Sequence, residues 1–473
     1  MSDLPQTWIA CRLGDVVDYG VTRKGESGDI ADDSWVLELE DIEKRTSRLL
    51  NRQTFAQRQS KSTKNCFDAG DVLYGKLRPY LNKVLIADQP GYCTTEIVPL
   101  KAGAHLDARY LFYWLKHPTF LAYVEAESHG LNMPRLGTDT GRAAPFVFAP
   151  RPEQTRIADK LDAVLARVDA CRDRLDRIPS ILKHFRQSVL AAATSGSLTE
   201  NWRAENAVDS GFAREEVNQR LALRRSRHPA NKKFKEPADP DLSNWATEIP
   251  WSWSVESVSA FAECLDHLRV PVTRNMRSNS LGLNPYYGAN GQVDMVDEFI
   301  FDAELVLVTE DETFYGREKP IAYRTSGRCW VNNHAHVLLA DDRFRADYLC
   351  FALMFYNVIP WLTGTTGRAK LTQGVLNSLP IAVPPQSEIE VIVRRVKTLL
   401  AFADRLEARY TAARAQVAKL TPSLLAKAFR GELVPQEPND EPASELLARI
   451  HAQRNTHAAS PPQRGRGRKA AIS

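Results

Sequence analysis

Cysteine is scarce in this sequence of 473 residues, which holds 7, and no two of them form a Cys-x-x-Cys pair. An odd number spread this widely argues against a disulfide framework and a zinc ribbon as the basis of the fold. Long apolar runs are missing too, so no segment is predicted to span a membrane. The first residues, MSDLPQTW, lack a secretory signal. We therefore expect a cytoplasmic protein without a membrane partner.

Motifs that mark nucleotide and cofactor sites are also missing. The glycine-rich stretches 129–142 and 363–370 do not fit the GxxxxGK[ST] pattern of a phosphate-binding loop. NPYY (284–287) is similar to the Asn-Pro-aromatic signature of amino-methyltransferases, but no glycine-rich strand–turn–helix accompanies it. The cysteine and histidines of CWVNNHAH (329–336) lack further ligands at suitable spacing. The sequence thus predicts no catalytic residue, metal or cofactor in this chain.

Charge is nearly balanced, with a formal net charge of +4, but its distribution is uneven. Lysine and arginine concentrate in residues 213–236 and again in 451–473. Such stretches suit a phosphate backbone. A solvated linker and a disordered tail would explain the two stretches equally well.

The end of one helix is written twice. SVLAAATSGSL (188–198) returns as SLLAKAFRGEL (423–433), and the same offset aligns the residues upstream of both stretches without a gap. Further upstream the match loosens but persists, since LPQTW (4–8) resembles IPWSW (249–253). The chain is therefore predicted to be one unit that occurs twice, with heads that differ more than the helices do.

Each copy closes with a long helix whose apolar residues recur at alternating spacings of three and four, which is typical of a coiled-coil seam. Pro179 should kink or interrupt the first helix. The two helices can pair antiparallel within the chain, and pairing between two chains is the alternative. The predicted seam consists of Leu161, Val164, Val168, Leu175, Ile178, Leu182, Val396, Leu399, Leu406, Tyr410, Val417 and Leu420.

The predicted fold class is α+β. Two α/β domains are joined by two long helices that form an antiparallel coiled coil, as a pseudo-two-fold internal duplication. Strand-like runs such as DVLYGKL and ELVLVTED alternate with short predicted helices in both heads. The predicted boundaries are 1–150 and 246–386 for the two domains, 151–198 and 387–433 for the helices, 199–245 for a charged basic linker, and 434–473 for a basic, flexible tail.

In this order of heads and helices the sequence resembles the specificity subunit of type I restriction–modification systems. The motifs that carry the resemblance are LYGKLRPYLNKVLIAD (73–88), YYGANGQVDMVDEFIFDAELVLVTED (286–311), CWVNNHAHVLL (329–339) and GTTGRAKLT (364–372). APRPEQTRI and VPPQSEIEVI, where the two helices begin, match as well.

The resemblance implies that each head is a target-recognition domain that reads one half of a split site in double-stranded DNA. The helices would set the gap between the halves. It also implies two methyltransferase subunits and restriction subunits as partners, with S-adenosylmethionine, ATP and Mg on those partners and no catalysis in this chain. The partners are expected on the helices and on their TSGSL and FRGEL ends. The rival interpretations are a coiled-coil adaptor that never touches DNA and a fused restriction and methylation enzyme.

GKLRPYLNK (75–83) is the best candidate for DNA contact, because it combines positive charge, an aromatic ring and an amide that can bond a base edge. Its alternating polar residues predict one face of an extended segment; an ordinary solvated strand face is the alternative. The candidate DNA-binding residues are Lys76, Arg78, Tyr80, Asn82, Lys83, Arg135 and Arg142 in the first head, and Tyr286, Tyr287, Asn290, Tyr315, Arg317, Lys319, Arg368 and Lys370 in the second.

Overall fold

The computed structural model describes residues 4–26, 28–59, 62–130, 132–206, 211–231, 233–272, 282–311, 314–362 and 370–459. The chain divides into two compact units, the first formed by residues 1–176 with 412–473 and the second by residues 177–411. The first unit therefore takes its two parts from opposite ends of the chain. No helix among the described residues is long and apolar enough to cross a membrane.

The strands are β1 (Ile9–Arg12), β2 (Lys24–Gly25), β3 (Trp35–Leu37), β4 (Gln53–Thr54), β5 (Lys64–Phe67), β6 (Val72–Gly75), β7 (Val84–Ile86), β8 (Gly91–Cys93), β9 (Ile97–Leu100), β10 (Pro145–Phe148), β11 (Ser254–Ser257), β12 (Glu263–Cys264), β13 (Asn284–Gly288), β14 (Gly291–Val296), β15 (Phe301–Asp302), β16 (Leu305–Thr309), β17 (Ala322–Thr325), β18 (Arg328–Val331), β19 (Ala335–Leu339) and β20 (Pro380–Val383). The first unit holds β1–β10 and the second holds β11–β20.

The helices are α1 (Leu13–Val16), α2 (Phe55–Arg58), α3 (Ala108–Trp114), α4 (Pro118–Glu127), α5 (Thr138–Ala143), α6 (Arg151–Leu175), α7 (Ile178–Ser195), α8 (Glu200–Glu205), α9 (Phe212–Arg227), α10 (Val258–Phe261), α11 (Arg343–Leu353), α12 (Gln373–Ser378), α13 (Gln386–Ala428) and α14 (Ala443–Ala459). The mixture of short strands and long helices confirms the α+β class.

Three sheets build the first unit. β1 pairs antiparallel with β10, a five-stranded sheet has the order β2-β5-β8-β3-β4, and a three-stranded sheet has the order β7-β6-β9. The main core forms where β6 and β10 pack against α3, α4 and the first turns of α6. A smaller core around Trp35 and Phe67 joins the five-stranded sheet to Leu73 and Ile97 of the three-stranded sheet.

The second unit repeats the plan with different sheets. β11 pairs antiparallel with β20, and two four-stranded sheets have the orders β12-β19-β16-β17 and β14-β13-β18-β15. Val306 and Val308 of β16 join the core under α11, while Leu305 and Leu307 face a second core with β19. This alternation is the period of two that a strand buried on both faces shows.

Pro179 interrupts the first long helix, as predicted. α6 ends at Leu175, and Pro179 lies in the first turn of α7, where its missing N–H costs no hydrogen bond. Pro422 lies inside α13 near the end of that helix.

Within each unit, the contacts between the two long helices follow one order: as the residue number rises along one helix, that of the contacting residue falls along the other. In the first unit Leu161 shares a core with Leu425, and Asp176 forms an ion pair with Arg414 at 3.4 Å. In the second unit Arg186 contacts Asp404 at 2.8 Å, and Leu198 accepts a hydrogen bond from Arg395 at 2.7 Å.

The predicted seam residues are buried or half-buried, with one difference. Leu420 is 44% exposed, because Leu425 and Ala428 in the last turns of α13, and Phe429 just after it, are the residues that are buried there. Leu420 therefore does not face the first-unit core.

The predicted linker and tail are more ordered than the sequence suggested. α9 lies within the linker and buries Ala213 and Val217 in the second unit. α14 lies within the tail and places Ala443, Leu446 and Ile450 in the first-unit core. The prediction of a flexible tail is wrong for 443–459, because this segment presents one apolar face at helical spacing and buries it.

Candidate functional site

The leading sequence candidate, residues 75–83, does not form an extended segment. β6 ends at Gly75, and Pro79–Leu81 form a short 3-10 turn. Arg78 and Asn82 flank this turn in the left-handed region, with φ of 49° and 48°. Two left-handed residues redirect the chain, so the alternating polar side chains do not share one face. The prediction of an extended face is wrong here.

The structure divides the five polar residues of this stretch into two groups. Asn82 is 4% exposed and its Nδ2 donates to the Leu115 carbonyl at 2.8 Å. Lys83 donates from Nζ to the Leu39 carbonyl at 2.6 Å, and burial lowers its pKa. Both side chains stabilise the turn from inside.

The other three side chains of the stretch remain available to a ligand. Arg78 is exposed, Tyr80 is 48% exposed and Lys76 is half-buried. None of them makes a side-chain hydrogen bond or ion pair with another residue in the described ranges. Charge and an aromatic ring are therefore presented together without competing internal partners.

Arg135 joins this turn, whereas Arg142 lies apart from it. The Arg78 N–H donates to the Pro134 carbonyl at 2.7 Å, so the Arg135 segment runs beside the turn. The Arg135 guanidinium pairs with Glu96 at 3.1 Å. Arg142 lies on α5 and donates to the Tyr19 carbonyl at 3.0 Å, which gives it a role in holding the loop after α1.

Sequence reasoning missed a second basic turn beside the first. Lys44 and Arg45 are exposed, and the Arg45 N–H donates to the Leu81 carbonyl at 3.0 Å. Arg48 of the same loop contacts Asp173 of α6 at 2.7 Å. The signal was present in the run EKRTSR (43–48), which is polar and basic between two strands.

In the second head, the candidates separate in a similar way. Tyr286 is buried in the sheet, and the Tyr287 ring lies 6.0 Å from Tyr323. The Arg317 guanidinium donates to Asn290 Oδ1 at 2.7 Å and to the Lys319 carbonyl at 3.1 Å.

These Arg317 contacts bring two loops of the second head together at the surface, where Tyr315 and Lys319 are exposed. Tyr286, by contrast, is a core residue.

A buried polar network fixes the backbone at Leu371, near the end of the GTTGRAKLT motif. His336 contacts Asp266 at 2.5 Å through Nδ1 and the Leu371 carbonyl at 2.7 Å through Nε2. Burial raises the pKa of Asp266, but the hydrogen bonds from His336 and the Val337 N–H, together with the charges of His336 and Arg269, outweigh it, and the pKa falls below its usual value. Lys370 lies 3.6 Å from Asp311, and Arg368 lies outside the described residues.

His334 of CWVNNHAH contacts Asp311 at 2.7 Å through Nδ1, so both histidines of this motif have carboxylate partners. Within the described ranges, no three histidine, cysteine or carboxylate side chains come close enough to hold a metal ion.

Both units contain the same junction between head and helix, built on a buried glutamate at the helix start. In the first unit Trp8 donates from Nε1 to Glu153 at 2.8 Å, and Gln436 donates to the other carboxylate oxygen. Burial raises the pKa of Glu153, and these donors only partly offset it.

The second unit places Glu388 in the same role. It accepts from Trp253 at 2.8 Å, from Thr199 at 2.6 Å and from Arg203 at 2.5 Å. Each glutamate thus accepts from the tryptophan of its Pro-x-x-Trp segment and from at least one residue that follows the glycine of the other long helix in the same unit.

A glycine and a proline meet at each junction. Gly196 and Gly431 end their helices with φ of 84° and 77°, which favours glycine. A Cβ on Gly196 would collide with the Pro250 ring, and one on Gly431 would collide with the Pro5 ring. The repeated Pro-x-x-Trp and Gly motifs of the sequence are therefore two halves of one contact.

The match extends to a pair of arginines that the sequence analysis did not identify as equivalent. Arg224 of α9 donates to the carbonyls of Ser259, at 3.2 Å, and Ala260 in α10. Arg454 of α14 donates to the carbonyls of Gly14, at 2.7 Å, and Asp15, at 3.0 Å, in α1. We call α9 and α14 the clamp helices, because each holds the short helix that opens its head.

Comparison with known proteins gives a consistent result. Residues 269–413 match the family model for the type I restriction modification DNA specificity domain. The chain is 32% identical over 329 residues to the type I restriction enzyme EcoDI specificity subunit of Escherichia coli, covering 65% of this chain and 68% of that protein. It is 28% identical over 353 residues to the EcoKI specificity subunit of Escherichia coli strain K12, covering 73% and 71%.

Solved structures agree on the fold. The HsdS subunit from Thermoanaerobacter tengcongensis superposes with a TM-score of 0.55 at 16% identity, over 91% of this chain and 98% of that one. A chain from a study of assembly and conformational transition of the type I R-M system gives a TM-score of 0.62 at 15% identity, covering 91% and 100%. With its repeated junctions and these relatives, the chain belongs to the family of type I restriction enzyme specificity subunits.

Proposed function

We propose that this chain reads a split DNA site with its two heads and supports the other subunits of a type I restriction–modification complex. The observation that carries the proposal is the pair of matched junctions, one built on Glu153 and the other on Glu388, beneath heads with unlike sheets. A repeated base under different heads suits a protein that docks alike partners and reads unlike half-sites.

The two long helices act as the spacer between the half-sites. The ion pairs Asp176–Arg414 and Arg186–Asp404 support an antiparallel coiled coil, because the residue number rises along the first helix and falls along the second. The matched junctions support an internal duplication with an approximate two-fold relation.

DNA contact falls on basic and aromatic side chains that the heads leave exposed or half-buried. In the first head these are Lys44, Arg45, Lys76, Arg78, Tyr80 and Arg135. In the second head they are Tyr315, Arg317, Lys319 and Lys370. Phosphate contacts from such residues would supply affinity that weakens with salt, and the aromatic rings and amides would contribute base contacts.

Two methyltransferase subunits bind the helices and their TSGSL and FRGEL ends, because these are the parts that both units share. Restriction subunits join this core in the cytoplasm. S-adenosylmethionine, ATP and Mg belong to those partners, and this chain supplies specificity without catalysis.

A base-modification map tests the proposal. The chain is co-expressed with its methyltransferase subunit in a host without DNA methylation, and the genome is sequenced for modified adenines. We expect a split motif with a fixed gap that disappears when this chain is omitted. An unmethylated genome, with both proteins expressed and bound to each other, would contradict DNA recognition and favour the adaptor.

A further inference from the structure

One difference between the matched junctions of the two units lies just before the helix-ending glycine. In the first unit Phe429 is buried against the rings of Tyr110, Trp114 and His117, at centroid distances of 4.8, 5.0 and 5.3 Å. Such tilted and edge-to-face pairs are the favoured aromatic geometry. Phe429 therefore fills the space between the end of α13 and α3.

Hydrogen bonds fix the equivalent position in the second unit. Tyr348 of α11 donates to the Ala382 carbonyl of β20 at 2.7 Å, as Tyr110 of α3 donates to the Val147 carbonyl of β10 at 3.0 Å. The two tyrosines thus occupy one structural position, and the residues around them can be compared directly.

When the two units are compared at these positions, the second unit lacks the two largest side chains of the first. Thr194 stands where the first unit has Phe429, and Ala352 stands where it has Trp114. Phe355, which takes the place of His117, is 41% exposed, whereas His117 is 8% exposed. The missing rings leave aromatic surface uncovered.

A groove of about 550 Å³ occupies this space, between α7, α11 and the chain before β11. Its lining is aromatic, aliphatic or neutral polar and includes Tyr348, Phe355 and Trp361. The buried Trp361 Nε1 has no hydrogen-bond acceptor in the part of the chain that the structure describes. The groove thus offers ring contacts to an occupant.

We infer that this groove takes an aromatic side chain of the methyltransferase subunit. The inference rests on the proposed function. The first unit shows what the position accepts, because its own Phe429 fills it. Among the described residues, no charged side chain lines the groove, so DNA phosphates find no partner there. One wall is α7, which belongs to the surface proposed for that subunit.

The consequence is that the two methyltransferase copies meet unlike docks. The copy on the first unit finds the position closed by Phe429, and the copy on the second unit inserts its own ring. A buried aromatic anchor at a protein interface commonly carries a large share of the affinity.

The test fills the groove from within. The double substitution Thr194→Phe with Ala352→Trp recreates the first-unit residues, while Thr194→Val keeps the groove open and serves as the control. Calorimetric titration of the purified methyltransferase subunit into the full chain should show one of two sites weakened about 30-fold by the double variant. The control should bind as the natural chain does. Equal affinities for the double variant and the natural chain would overturn the inference.

Two further measurements separate the possible failures. The double variant should unfold at the same temperature as the natural chain or higher, since it buries more aromatic surface. If it unfolds at a lower temperature and also loses binding, the loss of binding reflects a damaged fold, and the crosslink decides the inference. A photo-crosslinking residue at Asn357, on the rim, should label an aromatic-containing peptide of the methyltransferase subunit, and labelling elsewhere or none would refute the dock. A natural chain that binds no methyltransferase subunit would refute the proposed function itself.

Discussion

Replacing Arg454 with alanine should loosen the start of the first head, although this arginine lies near the opposite end of the chain. Its guanidinium donates to the Gly14 and Asp15 carbonyls at 2.7 and 3.0 Å. It also contacts Asp18 at 2.8 Å, but that carboxylate is 72% exposed. The alanine variant removes these contacts and leaves the carbonyls of α1 to water.

The structure limits the size of the effect. Hydrogen bonds to charged groups contribute about 1.5–3 kcal/mol, whereas exposed ion pairs contribute about 0–1 kcal/mol. Since the Arg454 side chain is 35% exposed and water can replace it, we expect a loss of about 2 kcal/mol. For a unit of this size that lowers the unfolding temperature of the first unit by about 4–8 °C.

Hydrogen exchange provides the decisive assay, because it resolves the two units. Arg454→Ala should speed exchange in residues 9–16 and leave 254–261 unchanged, and Arg224→Ala should do the reverse. Arg449→Ala is the matched control on the same helix, since its pair with Glu441 is largely exposed. Unchanged exchange in residues 9–16 of Arg454→Ala, or equal acceleration in both segments, would refute the clamp.

Three more predictions concern single side chains. Burial lowers the pKa of His117 to about 4, so stability should fall as pH drops from about 6.5 to 4, by about 3 kcal/mol; acid titration of His117→Phe should lack this loss. Glu388→Ala removes the acceptor of the buried Trp253 and Thr199 donors and of the half-buried Arg203, and should cost about 3–5 kcal/mol in denaturant unfolding, unlike the replacement of an exposed glutamate. Arg78→Ala should weaken DNA binding by the complex and reduce its salt slope by about 0.9, whereas Asn82→Ala should lower stability instead.

Several parts of this fold could be predicted from the sequence because they repeat. The Pro-x-x-Trp motif and the helix-ending glycine stood out as repeated segments, and the structure shows that they touch each other. Pro179 predicted the break between α6 and α7, because proline cannot donate the hydrogen bond of a helix interior. The repeat did not reveal which copies are in contact. The Pro-x-x-Trp motif of each head contacts the glycine that ends the other long helix of the same unit.

The DNA-contact stretch shows where pattern reasoning failed. Alternating polar residues predict a strand face only if the backbone stays extended, and GKLRPYLNK carries a proline in its middle. Proline favours a turn, and Arg78 and Asn82 take left-handed conformations on either side of it. Asn82 is then buried by the turn it helps to form. Side-chain chemistry alone could not separate Asn82, which satisfies a carbonyl, from Arg78, which faces outward.

The clamp helices were missed for a different reason. The helices before them match at one constant offset, but the clamp arginines fall at another, because the segments that follow the two glycines differ in length. A search at one offset therefore ends at the glycine. The spacing of Ala443, Leu446 and Ile450 was a helical signal, yet a basic composition favoured a tail. Because the two arginines hold corresponding carbonyls, the match between the two units extends to the clamp helices, and a chain cut after the FRGEL segment should lose the contacts of α14 with the first head.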